Sequence, residues 1–263
     1  MRRRSLRIGL VTLTAALSVV VLGGCTATSV RGTDAGYISN PQEEVYVKVP
    51  TAWKQFTIDP YQAISDRIDG LKRSPNGWSR MADASPKPFL RHSEQAAPRY
   101  PIAVLSVLPL PTDWRRQNTN GRDGISLGLL RSLSAGEAGI DADPLDAFNQ
   151  GDPAVEIISY RDEFLDGKTW GTHTRVNLRI ETDAEDPAKD VWTTIDQWAL
   201  VDYRQSKLYR LTVKCEASCF RKNKATLDRV VNSFRVKGVN VPPYSDTNLS
   251  RTVQPNLDAA AST

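Results

Sequence analysis

The two-residue alternation that recurs between Val155 and Cys215 is the feature that most limits how this chain can fold. Val155 to Phe164 and Trp170 to Ile180 flank Asp166-Gly167, a dipeptide suited to the left-handed conformations of a tight hairpin turn. Successive strand side chains point to opposite sides, so Thr174, Val176, Leu178 and Ile180 share one face. His173, Arg175, Asn177, Arg179 and Glu181 share the other, and the pattern predicts that the first face is buried and the second wet. Val191 to Tyr203 and Leu208 to Cys215 form a further pair across Arg204-Gln205-Ser206-Lys207. There Tyr209, Leu211, Val213 and Cys215 oppose Arg210, Thr212 and Lys214. A four-stranded meander with one apolar face needs a covering layer. Ser218 reads as an N-cap, and Phe220, Leu227, Val230, Val231 and Phe234 after it form one helical stripe that supplies the cover. The predicted fold class is therefore α+β, an antiparallel β-sheet meander covered by helices.

Upstream, Val45 to Val49 alternates and stops at Pro50, a short strand. Asp59-Pro60-Tyr61-Gln62 resembles a helix start, with Asp as cap and Pro at the first position. Tyr61, Ile64, Ile68 and Leu71 follow at helical spacing, with Gly70 near the end. The prolines at 75, 86, 88 and 98 make Ser74 to Arg99 read as irregular, whereas Ile102 to Leu108 reads as a buried strand. Ile125, Leu129, Leu130 and Leu133 predict one face of a helix capped by Asp123.

Charge separates the amino terminus from the rest. Arg2, Arg3, Arg4 and Arg7 hold four of the 34 basic groups, and the other 30 match the 30 acidic residues. A surplus confined to one end indicates targeting, so no nucleic-acid partner is expected for the folded part. The apolar run Ile8 to Leu22 is shorter than the roughly 20 residues a membrane span needs and fits a signal sequence. It ends in Leu22-Gly23-Gly24-Cys25, which resembles the lipobox of bacterial lipoproteins. The resemblance implies a signal peptide over 1–24, a diacylglyceryl group on the Cys25 thiol, and an extracytoplasmic domain on the cell membrane. Two acyl chains anchor stably where one holds only marginally. Arg3-Arg4-Ser5-Leu6-Arg7 also resembles a partial twin-arginine signal, and either export route is open. Composition then divides the chain into a flexible tether over 25–44, a globular domain over 45–241 and a disordered tail over 242–263. Asn248-Leu249-Ser250 matches a glycosylation sequon in that tail, to which a chain resembling a bacterial lipoprotein gives no significance.

The segments "VPTAWKQF" (Val49 to Phe56) and "ATLDRVVNSFRV" (Ala225 to Val236), with a meander between them, resemble the PsbP-like α/β/α sandwich. Together with the lipobox, the tether and the Cys215 and Cys219 pair, the chain is similar to the LpqN-type lipoproteins of actinobacteria. The resemblance implies a non-enzymatic accessory or binding module. Its matching residues fix architecture, so no catalytic residue, metal ligand or cofactor is carried over.

The remaining chemistry is sparse. With Cys25 assigned to lipid, Cys215 and Cys219 remain in an oxidising setting and are expected to form a structural disulfide across a strand-helix turn. A redox role is the alternative, since a thiol near a helix N-terminus has a lowered pKa. Gly124-Ile125-Ser126-Leu127-Gly128 matches the Gly-x-Ser-x-Gly elbow of serine hydrolases, but the polar stretch Gln117 to Asp123 lacks the apolar strand that elbow requires. An envelope hydrolase using Ser126 therefore stands as an alternative only. His92 and His173 are unclustered, and no metal site is expected. Trp53, Trp78, Trp114, Trp170, Trp192 and Trp198 leave open a cell-wall glycan platform beside the reading that they are core, and Trp192 and Trp198, on one face of one strand, favour packing. The expected partners are the membrane, through the lipid, and an envelope protein or glycan.

Overall fold

A computed structural model describes residues 35–60, 77–110, 127–136, 143–165, 169–181, 189–202, 204 and 206–243. The segment 1–34 lies outside them. So do Cys25, Ser126, the Asp166-Gly167 turn, the sequon, and most of the helix expected after Asp59.

The predicted hairpins are present. Strands β6 (Val155–Leu165) and β7 (Thr169–Ile180) pair from Val155 opposite Leu178 to Leu165 opposite Thr169, with a bulge between Ile157 and Ser159. β8 (Val191–Val201) and β9 (Lys207–Glu216) continue the meander. It does not stop at four strands. The far edge of β9 pairs with β5 (Ile102–Pro109), which carries β4 (Trp78–Asp83) and then β3 (Lys54–Thr57). The seven-stranded antiparallel sheet thus runs β3-β4-β5-β9-β8-β7-β6. β4 corrects the expectation that Ser74 to Arg99 is irregular: Met81, Ala82 and Asp83 are all buried, so a central strand here shows no polar alternation to betray it.

A second sheet of three strands contains β1 (Ala35–Asn40), β2 (Val45–Pro50) and β10 (Arg235–Val236). β1 overturns the reading of 25–44 as wholly tether. Ile38 and Asn40 face inward while Tyr37 is exposed, so one apolar side chain sufficed to bury a strand whose composition looked like a linker. Beyond the two-residue β10, the free edge of β2 is met by a side chain. Lys48 N donates to Ser233 Oγ at 2.7 Å, and that hydroxyl lies within donating reach of Lys48 O at 3.3 Å.

Among the described residues, three α-helices flank the large sheet. α1 (Leu127–Gly136) packs Leu130 and Leu133 on Leu108, Ala199, Val201 and Leu208, while α2 (Pro144–Asn149) packs Ala147 on Val176, Leu178 and Ile195. α3 (Ala217–Asn232) covers the opposite face with Phe220, Leu227, Val230 and Val231, over Leu105, Trp198, Leu211 and Val213. The three-stranded sheet adds Ile38, Val45, Val47 and Val49 to the same cluster. The architecture is the expected α+β class, but both faces of the sheet are buried. This corrects the wet face assigned to His173 and Arg175, both of which are buried, whereas Glu181 at the end of that face is exposed as expected; Arg210, Thr212 and Lys214 on β9 are buried as well. The N-cap of α3 is Glu216, with no side-chain hydrogen bond, rather than Ser218. Among the described residues no helix is long and apolar enough to cross a membrane.

Candidate binding site at the β4–β5 loop

The segment between β4 and β5 carries Pro86, Pro88, Pro98 and Pro101, which deny it helix or ladder hydrogen bonds. Its only regular piece is a 3-10 turn over Leu90–Glu94. One carboxylate at its root replaces the missing order. Asp83, the last residue of β4, accepts from Ser85 N at 2.7 Å, Phe89 N at 3.0 Å and His92 Nδ1 at 2.7 Å. Burial works to raise its pKa, but the Ser85 and Phe89 amides and the His92 ring outweigh burial and hold the carboxyl below its ordinary value. The other limb is fixed by Glu216 N donating to Pro98 O at 2.8 Å and Ala84 N donating to Pro101 O at 3.0 Å.

These ties hold open a cavity of about 380 Å³. Ser85, Lys87, His92, Gln95, Arg99 and Tyr100 line it, with proline walls and Ile102 as part of its base. Its lip is apolar and outward, for Phe89 is 54% exposed, Tyr100 46% and Leu90 38%. Three basic or ionisable nitrogens around a small concavity suit a polar or anionic group with an apolar surround. The arrangement is not a nucleophile relay. An ionised Asp83 can only accept, so His92 Nδ1 carries the proton it shares with that carboxylate. The Ser85 hydroxyl lies 3.5 Å from this same nitrogen and not from a free lone pair, so His92 has no means of taking its proton there. Proline density pointed to a loop, but nothing in the spacing of Asp83 and His92 marked them as partners.

His173 is placed elsewhere, under α3. Its Nε2 lies 2.6 Å from Asp196 Oδ1, and its ring stacks on Trp198 at 4.5 Å between centroids. Arg175 donates to Asp196 Oδ2 from Nε at 2.7 Å and from Nη2 at 2.5 Å, and also reaches Asp228 Oδ1 on α3 at 2.7 Å. Burial opposes charge on Asp196, but Arg175 and His173 prevail and keep it below the usual carboxylate range. With every member at most 3% exposed except Asp228, this is a tie between sheet and helix. Cys215 and Cys219 are joined as a disulfide, with Cα atoms 6.0 Å apart. Among the described residues, no three His, Cys, Asp or Glu side chains converge as metal ligands. Trp53, Trp78, Trp170 and Trp192 are partly buried and Trp198 is buried, while Trp114 lies outside the described residues; among those described, the exposed aromatics are Tyr37, Tyr46, Phe89 and Tyr100.

No protein family matches the chain by sequence, and no curated protein does. Among solved structures, the chain is similar to cyanobacterial PsbP from Synechocystis sp. PCC 6803, with 15% identity, a TM-score of 0.41, and coverage of 82% of this chain and 98% of that one. It is also similar to the Ran-binding protein Mog1p of Saccharomyces cerevisiae, with 10% identity, a TM-score of 0.37, and coverage of 78% and 96%. Likeness of this size transfers no function.

Proposed function

We propose that this protein is a lipid-anchored extracytoplasmic binding or accessory module of an actinobacterial-type cell envelope, comparable to the LpqN-type lipoproteins, in which the β4–β5 cavity recognises its ligand without transforming it. The observation that carries the non-enzymatic part is the engagement of His92 Nδ1 by Asp83, which spends the dyad on holding the loop. The run of arginines, apolar segment and Leu22-Gly23-Gly24-Cys25 supports the anchor and the extracytoplasmic location. The test is fractionation and intact mass of the wild type and a Cys25→Ala variant. The wild type is expected in the membrane fraction, cleaved before Cys25 and heavier than its polypeptide by a diacylglyceryl group. The variant is expected to lose both the added mass and the cleavage. Unchanged mass and fractionation between the two would refute the anchor.

A further inference from the structure

We infer that the β4–β5 loop is a second membrane contact, which docks on the surface of an anionic phospholipid bilayer; the inference rests on the lipid anchor proposed above only for bringing the domain to that surface. The tip of the loop reads Pro86-Lys87-Pro88-Phe89-Leu90-Arg91, and all six residues are exposed. Phe89, Leu90 and Tyr100 are three of the six large hydrophobic side chains exposed among the described residues, so half of those six are gathered on this one loop. Lys87, Arg91 and Arg99 surround them, against Glu94 as the exposed acid on the loop; Arg99 is 87% exposed with Glu216 at 3.9 Å. A Phe-Leu pair between cations matches the bilayer interface, where rings and aliphatic chains enter the acyl boundary while basic groups meet phosphates. The cavity behind this lip, with Lys87, Arg99 and His92 in its lining, is then the seat of a headgroup phosphate. Asp83 holds the loop in shape before contact, so little ordering entropy opposes docking.

Chain geometry brings this loop to the lipid. Ala35, the first residue of β1, pairs with Pro50; the turn closed by Trp53 N to Pro50 O leads into β3, where Lys54 stands opposite Asp83. Gln55 Nε2 donates to Tyr37 O at 3.2 Å, which fixes the start of β1 beside β3. The strand that receives the tether therefore begins at the end of the sheet from which the β4–β5 loop springs. The roughly ten residues from Cys25 to Ala35 span at most about 35 Å. That length suffices for the loop to touch the surface in which the lipid sits.

The experiment uses the full chain reconstituted into vesicles of phosphatidylcholine, with or without phosphatidylglycerol. It carries an environment-sensitive fluorophore at Leu90→Cys or, as a control on the exposed face of α3, at Lys222→Cys. With phosphatidylglycerol present, quenching by aqueous iodide is expected to fall at least about threefold at position 90 and to stay constant at 222. Each basic residue near a charged surface shifts the docked-to-free ratio by about fivefold. The Lys87→Glu/Arg91→Glu pair in the Leu90→Cys background is accordingly expected to erase the difference. Equal quenching at position 90 in both lipids, or an equal fall at 222, overturns the inference. The mass of the same samples separates the two readings. A lipidated Cys25 with position 90 fully quenched sinks the docking loop alone, and an unmodified Cys25 with position 90 protected sinks the anchor alone.

Discussion

Asp196 shows how much of this molecule depends on single charges. It is fully buried between His173 and Arg175, and Arg175 passes the tie to Asp228, which also holds Lys224 at 2.7 Å. Removing one partner of a buried pair leaves the other uncompensated and typically costs about 3–5 kcal/mol. Asp196→Asn is therefore expected to lower stability by about that amount in urea unfolding, with secondary structure retained at low denaturant. The acid limb follows from the same geometry. A carboxyl whose folded pKa lies below its unfolded one contributes stability that is complete above the unfolded value, near 3.8, and is lost as pH falls through the folded one. Stability of the wild type should thus fall steeply only below about pH 4, and more shallowly in the Asn variant. Gly171 is constrained by space, since a Cβ there would meet Ala199 O and Leu200 Cδ2, each at 2.4 Å. Gly171→Ala is expected to lower stability by about 1–3 kcal/mol as β7 and β8 are forced apart, measurable as a drop in Tm. These residues were the least legible in the sequence. Alternation put His173 and Arg175 on the face opposite Val176, as observed, but carried no sign that α3 would lie over them.

Among the elements, the junction of β9 and α3 is held by the Cys215–Cys219 disulfide where a side-chain cap is missing. Closing so short a loop contributes about 2 kcal/mol. Cys215→Ser/Cys219→Ser should therefore lower the urea midpoint by a corresponding amount, and faster amide exchange should be confined to the first turns of α3. The meander β6 to β9 and the apolar stripe of α3 were readable because a period of two or of 3.6 persists over many residues. β5 was readable from its β-branched, apolar composition. β1, β3 and β4 were not. β3 has four residues, β1 buries few side chains, and β4 is buried along most of its length, so none displays a period. The cavity was hidden for a related reason: its order comes from one aspartate bonded to atoms two, six and nine residues away, a pattern no local periodicity records.

For the whole molecule, the order β3-β4-β5-β9-β8-β7-β6 divides the large sheet into two meanders, each built from neighbours in sequence. They meet along one seam, where Ile102 stands opposite Lys214 and Pro109 opposite Lys207. The small sheet repeats the pattern, for β2 near the start of the described chain is completed by β10 near its end. Loop-closure entropy makes such distant pairings slow relative to local hairpins. The consequence is kinetic. Until β9 has been synthesised and delivered, β5 presents an unpaired edge that is apolar but for Ser106, so the chain is most vulnerable to aggregation in the interval before its last quarter arrives.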